Sequence, residues 1–214
     1  MASVVPVNNY DAKTSLPAKR RSRNDITEFS NGVNVVTLEL LLFVLKEEGV
    51  EYSSSSSKYS TSKCDELAKA LEALKTMSGT MLKDYGSEMR PLCSTLDLSD
   101  EQFYSTYCLV AENSLGYPDI SVGRIVSLMT FTGLLASHLI QLGQECKVES
   151  LLGWERTFIH NKCQAYIEGH GGWKSIRVPH KESNLETRSN GTIWLAPVVL
   201  GLGIAAALGA FYTR

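Results

Sequence analysis

Apolar residues recur with a helical period along most of the chain. None of these segments carries the strict alternation that is typical of a half-buried strand. The segment 35–46 begins with β-branched residues that leave helix and strand open, but its Leu-rich second half and the following Gly49 favour a helix. The pattern therefore predicts an all-α fold. Its helices are expected at 35–46, 65–84, 125–142 and 148–167, with one more between Ser99 and a break at Gly116.

The segment 125–142 is the most hydrophobic part of the chain before its C-terminal region. It is long enough to cross a membrane, but Arg124, His138 and Gln141 bracket or interrupt it. A helix buried on all sides by other helices explains the same composition equally well. We therefore expect a helical bundle built around one apolar helix.

Polar segments flank and divide these helices. Residues 1–30 are polar and irregular, with a cluster of basic side chains, and are predicted to be disordered. A Ser-rich stretch at 53–62 is expected to be a flexible linker. The chain is thus divided into a tail at 1–30, a helical domain at 31–180, a linker at 181–192 and an apolar C-terminal segment.

The C-terminal segment 193–212 contains no charged side chain. Twenty helical residues span about 30 Å, which is the thickness of a bilayer core, and Trp194 and Tyr212 stand at the two ends, where aromatic residues prefer the interface. We expect a single transmembrane helix that anchors a cytosol-facing domain; a buried core helix is the alternative. A stripe of small residues could let two such helices associate as a homo-oligomer, or could simply face lipid: Gly201, Ala205 and Gly209.

Composition excludes several classes of function. With 21 Lys and Arg against 23 Asp and Glu, the chain is close to neutral, and no nucleic-acid partner is expected. Its five cysteines and four histidines are scattered without ligand spacing, so we predict reduced thiols and no metal site. No phosphate loop, dinucleotide glycine motif or nucleophile elbow is present, and we predict neither catalytic residues nor a cofactor.

Two short motifs point to a family. Val122-Gly123-Arg124-Ile125-Val126, followed by Phe131-Thr132-Gly133, resembles the first homology region (BH1) of the Bcl-2 family of apoptosis regulators. Tyr166-Ile167, followed by Gly171-Gly172-Trp173, resembles the second region (BH2). The order of these motifs, their separation and the expected C-terminal anchor agree with the family. The resemblance extends to a BH4-like segment at 34–52 and a BH3-like segment at 67–85, with the BH1-like segment at 112–135 and the BH2-like segment at 166–178.

The resemblance implies a helical bundle around a buried hairpin, formed here by 125–142 and 148–167. It also implies a surface groove that binds the amphipathic BH3 helix of pro-apoptotic family members. An apolar helix face needs an apolar groove, and methionines suit a groove that accepts several helices. By position, the groove would be lined by Met77, Met81, Tyr85, Met89, Leu92, Val110, Leu115 and Phe131.

Three residues of the BH1-like motif have roles implied by the family. Arg124 matches the arginine that pairs with the aspartate of a partner helix, an interaction whose loss costs about 2–5 kcal/mol. Gly123 would let the partner backbone approach closely. Ser121 and Val122 replace the Asn-Trp that usually precedes Gly-Arg; the Ser121 hydroxyl can still donate one hydrogen bond, with a shorter reach than an amide.

The family contains both pro-survival and pro-death members of this fold. Where a BH3 ligand carries its acidic residue, this chain has Gly79, which favours a pro-survival protein that does not export its own BH3 helix. We therefore predict a BH3-binding, pro-survival protein at the mitochondrial outer membrane or the endoplasmic reticulum. The alternatives are a pore-forming pro-death member and a non-apoptotic membrane scaffold.

Overall fold

The computed structural model describes residues 23–53, 65–115 and 120–178. All of the regular elements in these ranges are helical, which confirms the all-α prediction. A π-helical turn, Ile159–Cys163, joins α5 to α6, and two 3₁₀ turns, Glu145–Lys147 and Trp173–Ser175, precede α5 and follow α6. The α-helices are α1 (Arg23–Glu47), α2 (Asp65–Thr95), α3 (Phe103–Leu115), α4 (Val122–Gln141), α5 (Val148–Phe158) and α6 (Gln164–Gly169).

Helix α4 is the centre of the fold. Every residue from Ile125 to Ser137 is buried, and α1, α2, α3 and α5 all pack against the helix. The buried hydroxyl of Thr130 is satisfied locally: it donates to the carbonyl of Val126 at 2.7 Å and stands 2.8 Å from Ser78 Oγ of α2. Helix α4 turns back into α5, so the expected buried hairpin is present.

Two described helices, Glu28–Glu47 and Val122–Gln141, are long and apolar enough to cross a membrane. Most of each is buried against the rest of the fold, as in the core helices of a globular domain. For 125–142, the interpretation as a central core helix is therefore the one that the packing supports.

Helix α1 begins earlier than the sequence pattern predicts. Residues 23–30 are helical, whereas they were expected to belong to a disordered tail. The reason is Phe29, which is buried and stacks on Trp173 with ring centroids 5.6 Å apart. Ser30 Oγ also lies 3.1 Å from His160 Nε2 in the π-helical turn. Tertiary contacts therefore order a segment whose composition is polar.

Helix α2 continues eleven residues beyond the predicted end at Asp84, to Thr95. Pro91 lies inside it and removes one backbone hydrogen bond. Met89 and Cys93 are buried on the same side of the helix, so packing carries the helix through the proline. The predicted helix at 148–167 is instead divided by the π-helical turn, which places Ile159 and Cys163 together in the core.

The BH2-like segment closes the fold with a glycine turn. Gly172 has a φ of 75°, a left-handed conformation that favours glycine, and its N–H donates to the carbonyl of Ile167 at 2.9 Å. Trp173 is thereby directed onto α1 beside Gly32, where a Cβ would lie only 2.5 Å from the indole Nε1.

Several predicted segments lie outside the described residues. These are the tail at 1–22, most of the Ser-rich linker, the break at 116–119, the linker at 181–192, the anchor at 193–212 and its stripe of small residues.

Candidate functional site

The predicted groove residues come from α2, α3 and the first half of α4. Helices α2 and α3 each pack extensively on α4 but make at most marginal contact with each other. They therefore form two separate walls over a common floor. The eight apolar residues of the predicted lining all belong to the hydrophobic core cluster or pack on its edge.

The groove is closed in this structure. Tyr85 and Leu92 are half-buried at its edge. The other six lining residues are no more than 8% exposed and belong to the core: Met77, Met81, Met89, Val110, Leu115 and Phe131. This corrects the expectation of an open surface trench. An open trench without a bound helix would expose these side chains to water, at a free-energy cost of about 25 cal/mol per Å² of apolar surface. Helices α2 and α3 therefore pack directly on α4.

Arg124 lies in the first turn of α4 and reaches the end of α3. Its Nη1 donates to the carbonyl of Leu115 at 2.9 Å, where the carbonyls of the last turn of α3 carry partial negative charge. No carboxylate in the described ranges forms an ion pair with Arg124. An arginine held by one carbonyl is well placed to exchange that partner for a carboxylate, because a charge-assisted pair is stronger.

The two residues predicted beside Arg124 have different environments. Ser121 is the N-cap of α4, and its Oγ accepts a hydrogen bond from the Arg124 N–H at 3.3 Å. Its own hydroxyl proton remains available to a ligand, while its position is fixed by the cap. Gly123 is half-buried in the first turn.

The BH3-like segment directs its apolar face into its own core. Met77 and Met81 are both buried, as are Ala70 and Leu74. Gly79 faces α1, where an added Cβ would lie 3.5 Å from Cζ of Phe43. Lys75 also pairs with Glu39 of α1 at 3.1 Å. The segment is therefore an internal element in this conformation and does not present its apolar face as a ligand.

Sequence reasoning missed a polar group beneath the groove. Glu155 of α5 is 1% exposed, and Tyr107 of α3 and Thr132 of α4 lie beside it. Burial raises the pKa of the Glu155 carboxyl from 4.5 to about 8, partly opposed by the neighbouring Thr132 hydroxyl and by Arg156. The signal was available, since Glu155 falls at helical spacing with Leu151, Leu152 and Ile159.

Comparison with known proteins finds a family that part of the chain matches. A model of the apoptosis regulator proteins of the Bcl-2 family matches residues 74–173, from the middle of α2 to Trp173. Over these 100 of its 214 residues, the chain is similar to the Bcl-2 family. The BH3-like, BH1-like and BH2-like motifs all lie within or across the matched region, whereas the BH4-like segment of α1 precedes it.

Two solved structures share the Bcl-2 fold. The crystal structure of chicken BOK matches with a TM-score of 0.59 and 18% identity, over 71% of this chain and 96% of that one. Trichoplax adhaerens trBcl-2L2, bound to trBak BH3, matches with a TM-score of 0.59 and 24% identity, over 69% of this chain and 95% of that one. No curated protein matches the chain by sequence. The identities are low, so these likenesses establish the fold.

Proposed function

We propose that this chain is a pro-survival Bcl-2 family protein, and that it sequesters BH3 helices of pro-death partners in the groove between α2 and α3. The observation that carries the proposal is the position of Arg124, which lies at the mouth of the site and is bound only to a carbonyl of α3 within the described residues. The Trichoplax relative is bound to a BH3 segment, which supports this class of ligand.

The closed groove is compatible with ligand binding. Because α2 and α3 barely touch each other, their separation breaks few direct contacts. A BH3 helix would then replace the wall contacts with its own apolar side chains. Met77, Met81 and Met89 contribute flexible, polarisable side chains that can repack around different ligands.

The pro-survival direction rests on the BH3-like segment. A pro-death member must expose this helix and dock it in another groove, which needs an acidic residue opposite the receptor arginine. Here Gly79 takes that place, and the apolar face is buried. We place the protein at the mitochondrial outer membrane, or alternatively the endoplasmic reticulum, on the basis of the uncharged segment 193–212.

A pore-forming, pro-death role is the second candidate. The observation that favours it is α4, a span-length apolar helix that pairs with α5 in a hairpin. Such a hairpin could transfer into a bilayer if the surrounding helices opened.

A titration of fluorescent BH3 peptides into the full chain tests the groove. We expect at least one peptide to bind with a Kd below about 10 μM, and Arg124→Glu to weaken binding by about 30-fold or more. Lys46→Glu, an equal charge reversal at the exposed end of α1, is the matched control and should bind normally. Failure of all peptides to bind, or equal binding by Arg124→Glu, would refute the groove.

A further inference from the structure

A carboxyl group is enclosed where the α3 wall meets the central hairpin. Glu155 lies on the inner face of α5 among apolar residues and is 1% exposed. Tyr107, which is also fully buried, faces it from α3, and Thr132 faces it from α4. In the part of the chain that the structure describes, Glu155 Oε1 has no hydrogen-bond partner.

The hydrogen bonds around Glu155 show which form of the carboxyl fits. Thr132 donates its only hydroxyl proton to the carbonyl of Leu128 at 3.0 Å. Tyr107 Oη lies 3.2 Å from Thr132 Oγ1, so Tyr107 must be the donor in that bond. The Tyr107 proton is then directed away from Glu155, and the single Thr132 proton lies between two acceptors, the Leu128 carbonyl and the Glu155 carboxyl. A carboxylate would share the Thr132 proton with the Leu128 carbonyl and would leave its Oε1 without a donor, whereas a protonated carboxyl can itself donate to an oxygen.

The charges near Glu155 do not reverse this preference. Its own helix supplies Arg156, which lowers the pKa of Glu155 but also donates from Nε to Thr37 of α1 at 3.3 Å. From α3 comes the Tyr107 phenol, whose pKa burial raises well above its usual value, so that it stays neutral. The facing part of α4 contributes the Thr132 hydroxyl. Desolvation dominates, and the pKa of Glu155 rises to about 8.

We propose that Glu155 is a proton-linked switch that controls the opening of the groove. The protonated side chain holds α3 against the α4–α5 hairpin, and opening of α3 admits water, allowing the carboxyl to lose its proton. Capture of a BH3 helix is then coupled to release of that proton. This inference rests on the proposed function, because it describes the regulation of the same groove.

The sign of the coupling follows from the direction of the pKa shift. The closed state binds the proton up to about pH 8, whereas an open or unfolded state releases it near the ordinary value of 4.5. Closure is therefore most stable at acidic pH and weakens as the pH rises between these values. Compared with a variant that carries a neutral side chain at position 155, the wild type should gain up to about tenfold in BH3 affinity for each pH unit in this window.

The first test measures stability without a ligand. The full chain and its Glu155→Gln variant are unfolded in urea at about pH 6 and about pH 7.5, with the exposed Glu101→Gln as the control for loss of charge. We expect Glu155→Gln to unfold less readily than the wild type, and the ratio of their unfolding constants to grow by about tenfold per pH unit. Glu101→Gln should follow the wild type. A ratio that does not change with pH overturns the switch.

The second test couples protonation to ligand binding. Calorimetric titration with a BH3 peptide, in two buffers of different ionisation enthalpy, counts protons released on binding. We expect close to one proton for the wild type at about pH 6.5, and none for Glu155→Gln, which should also bind more weakly. No proton release from a wild type that binds the peptide overturns the coupling. If no peptide binds at any pH, the proposed function fails instead, and the urea experiment alone decides whether Glu155 is a switch.

Discussion

Gly133 of α4 packs directly against Val44 of α1, and its replacement by alanine tests the packing of the core. A Cβ at this position would lie 2.6 Å from Cβ and 2.7 Å from Cγ1 of Val44. Carbon atoms in contact are normally about 3.5–4.0 Å apart, so α1 and α4 would have to separate by roughly 1 Å. Val44 Cβ is fixed directly to the α1 backbone, so a rotamer change cannot relieve the contact.

The expected cost can be estimated from two opposing terms. Overpacking a dense core costs about 1–3 kcal/mol, and three contacts at or below 3.0 Å place Gly133→Ala at the upper end. The higher helix propensity of alanine stabilises the folded state by about 1 kcal/mol relative to glycine in a helix interior. The net expectation is a destabilisation of about 2 kcal/mol, which lowers the Tm of a domain of this size by roughly 4–8 °C.

Gly153 of α5 provides the matched control. An added Cβ there would meet no atom within 4 Å, so only the gain in helix propensity applies. Gly153→Ala should stabilise the protein by about 1 kcal/mol, and the two variants should differ by about 3 kcal/mol in urea unfolding. If Gly133→Ala proves as stable as the wild type, the close packing of α1 on α4 is wrong.

Two further predictions concern the BH3-like segment and the cysteines. A peptide of residues 67–85 should not bind pro-survival Bcl-2 proteins in a fluorescence polarisation assay. The same peptide with Gly79→Asp should bind measurably, because it gains a carboxylate that can pair with the arginine of the receptor. Equal binding by the two peptides would contradict the proposed role of this missing charge. In alkylation followed by mass spectrometry at neutral pH, exposed Cys146 should react before the buried Cys93 and Cys163. These two should react only on unfolding, because burial raises the pKa of each thiol to about 12. Early labelling of Cys93 would contradict its place in the core.

The elements with strong periodicity were predictable from the sequence. Helix α4 is expected at 125–142 and is found at Val122–Gln141, because a long apolar run of this length favours one continuous helix, whether it is buried in a core or in a membrane. Contacts between distant parts of the chain were not predictable. The start of α1 depends on Phe29 meeting Trp173, and nothing in the local pattern reveals that pairing.

The sequence could propose which residues line the candidate site, but it could not predict how deeply those residues are buried. Resemblance to the family pointed to Arg124 and, by position, to an apolar lining whose residues belong to the core cluster or pack against it. A pattern of apolar residues is the same whether a groove is open or filled by its own walls, so closure emerges only from burial. Glu155 could have been found from the sequence, since a helical wheel of this segment places its carboxylate on the same face as the apolar residues.

Release of cytochrome c from isolated mitochondria tests the proposed function most directly. Mitochondria carrying the full chain are treated with a pro-death BH3 protein, and Arg124→Glu and Lys46→Glu are compared with the wild type. We expect the wild type and Lys46→Glu to suppress release, and Arg124→Glu to fail to suppress it. Release caused by the chain alone, or equal protection by Arg124→Glu, would contradict a pro-survival groove that depends on this arginine.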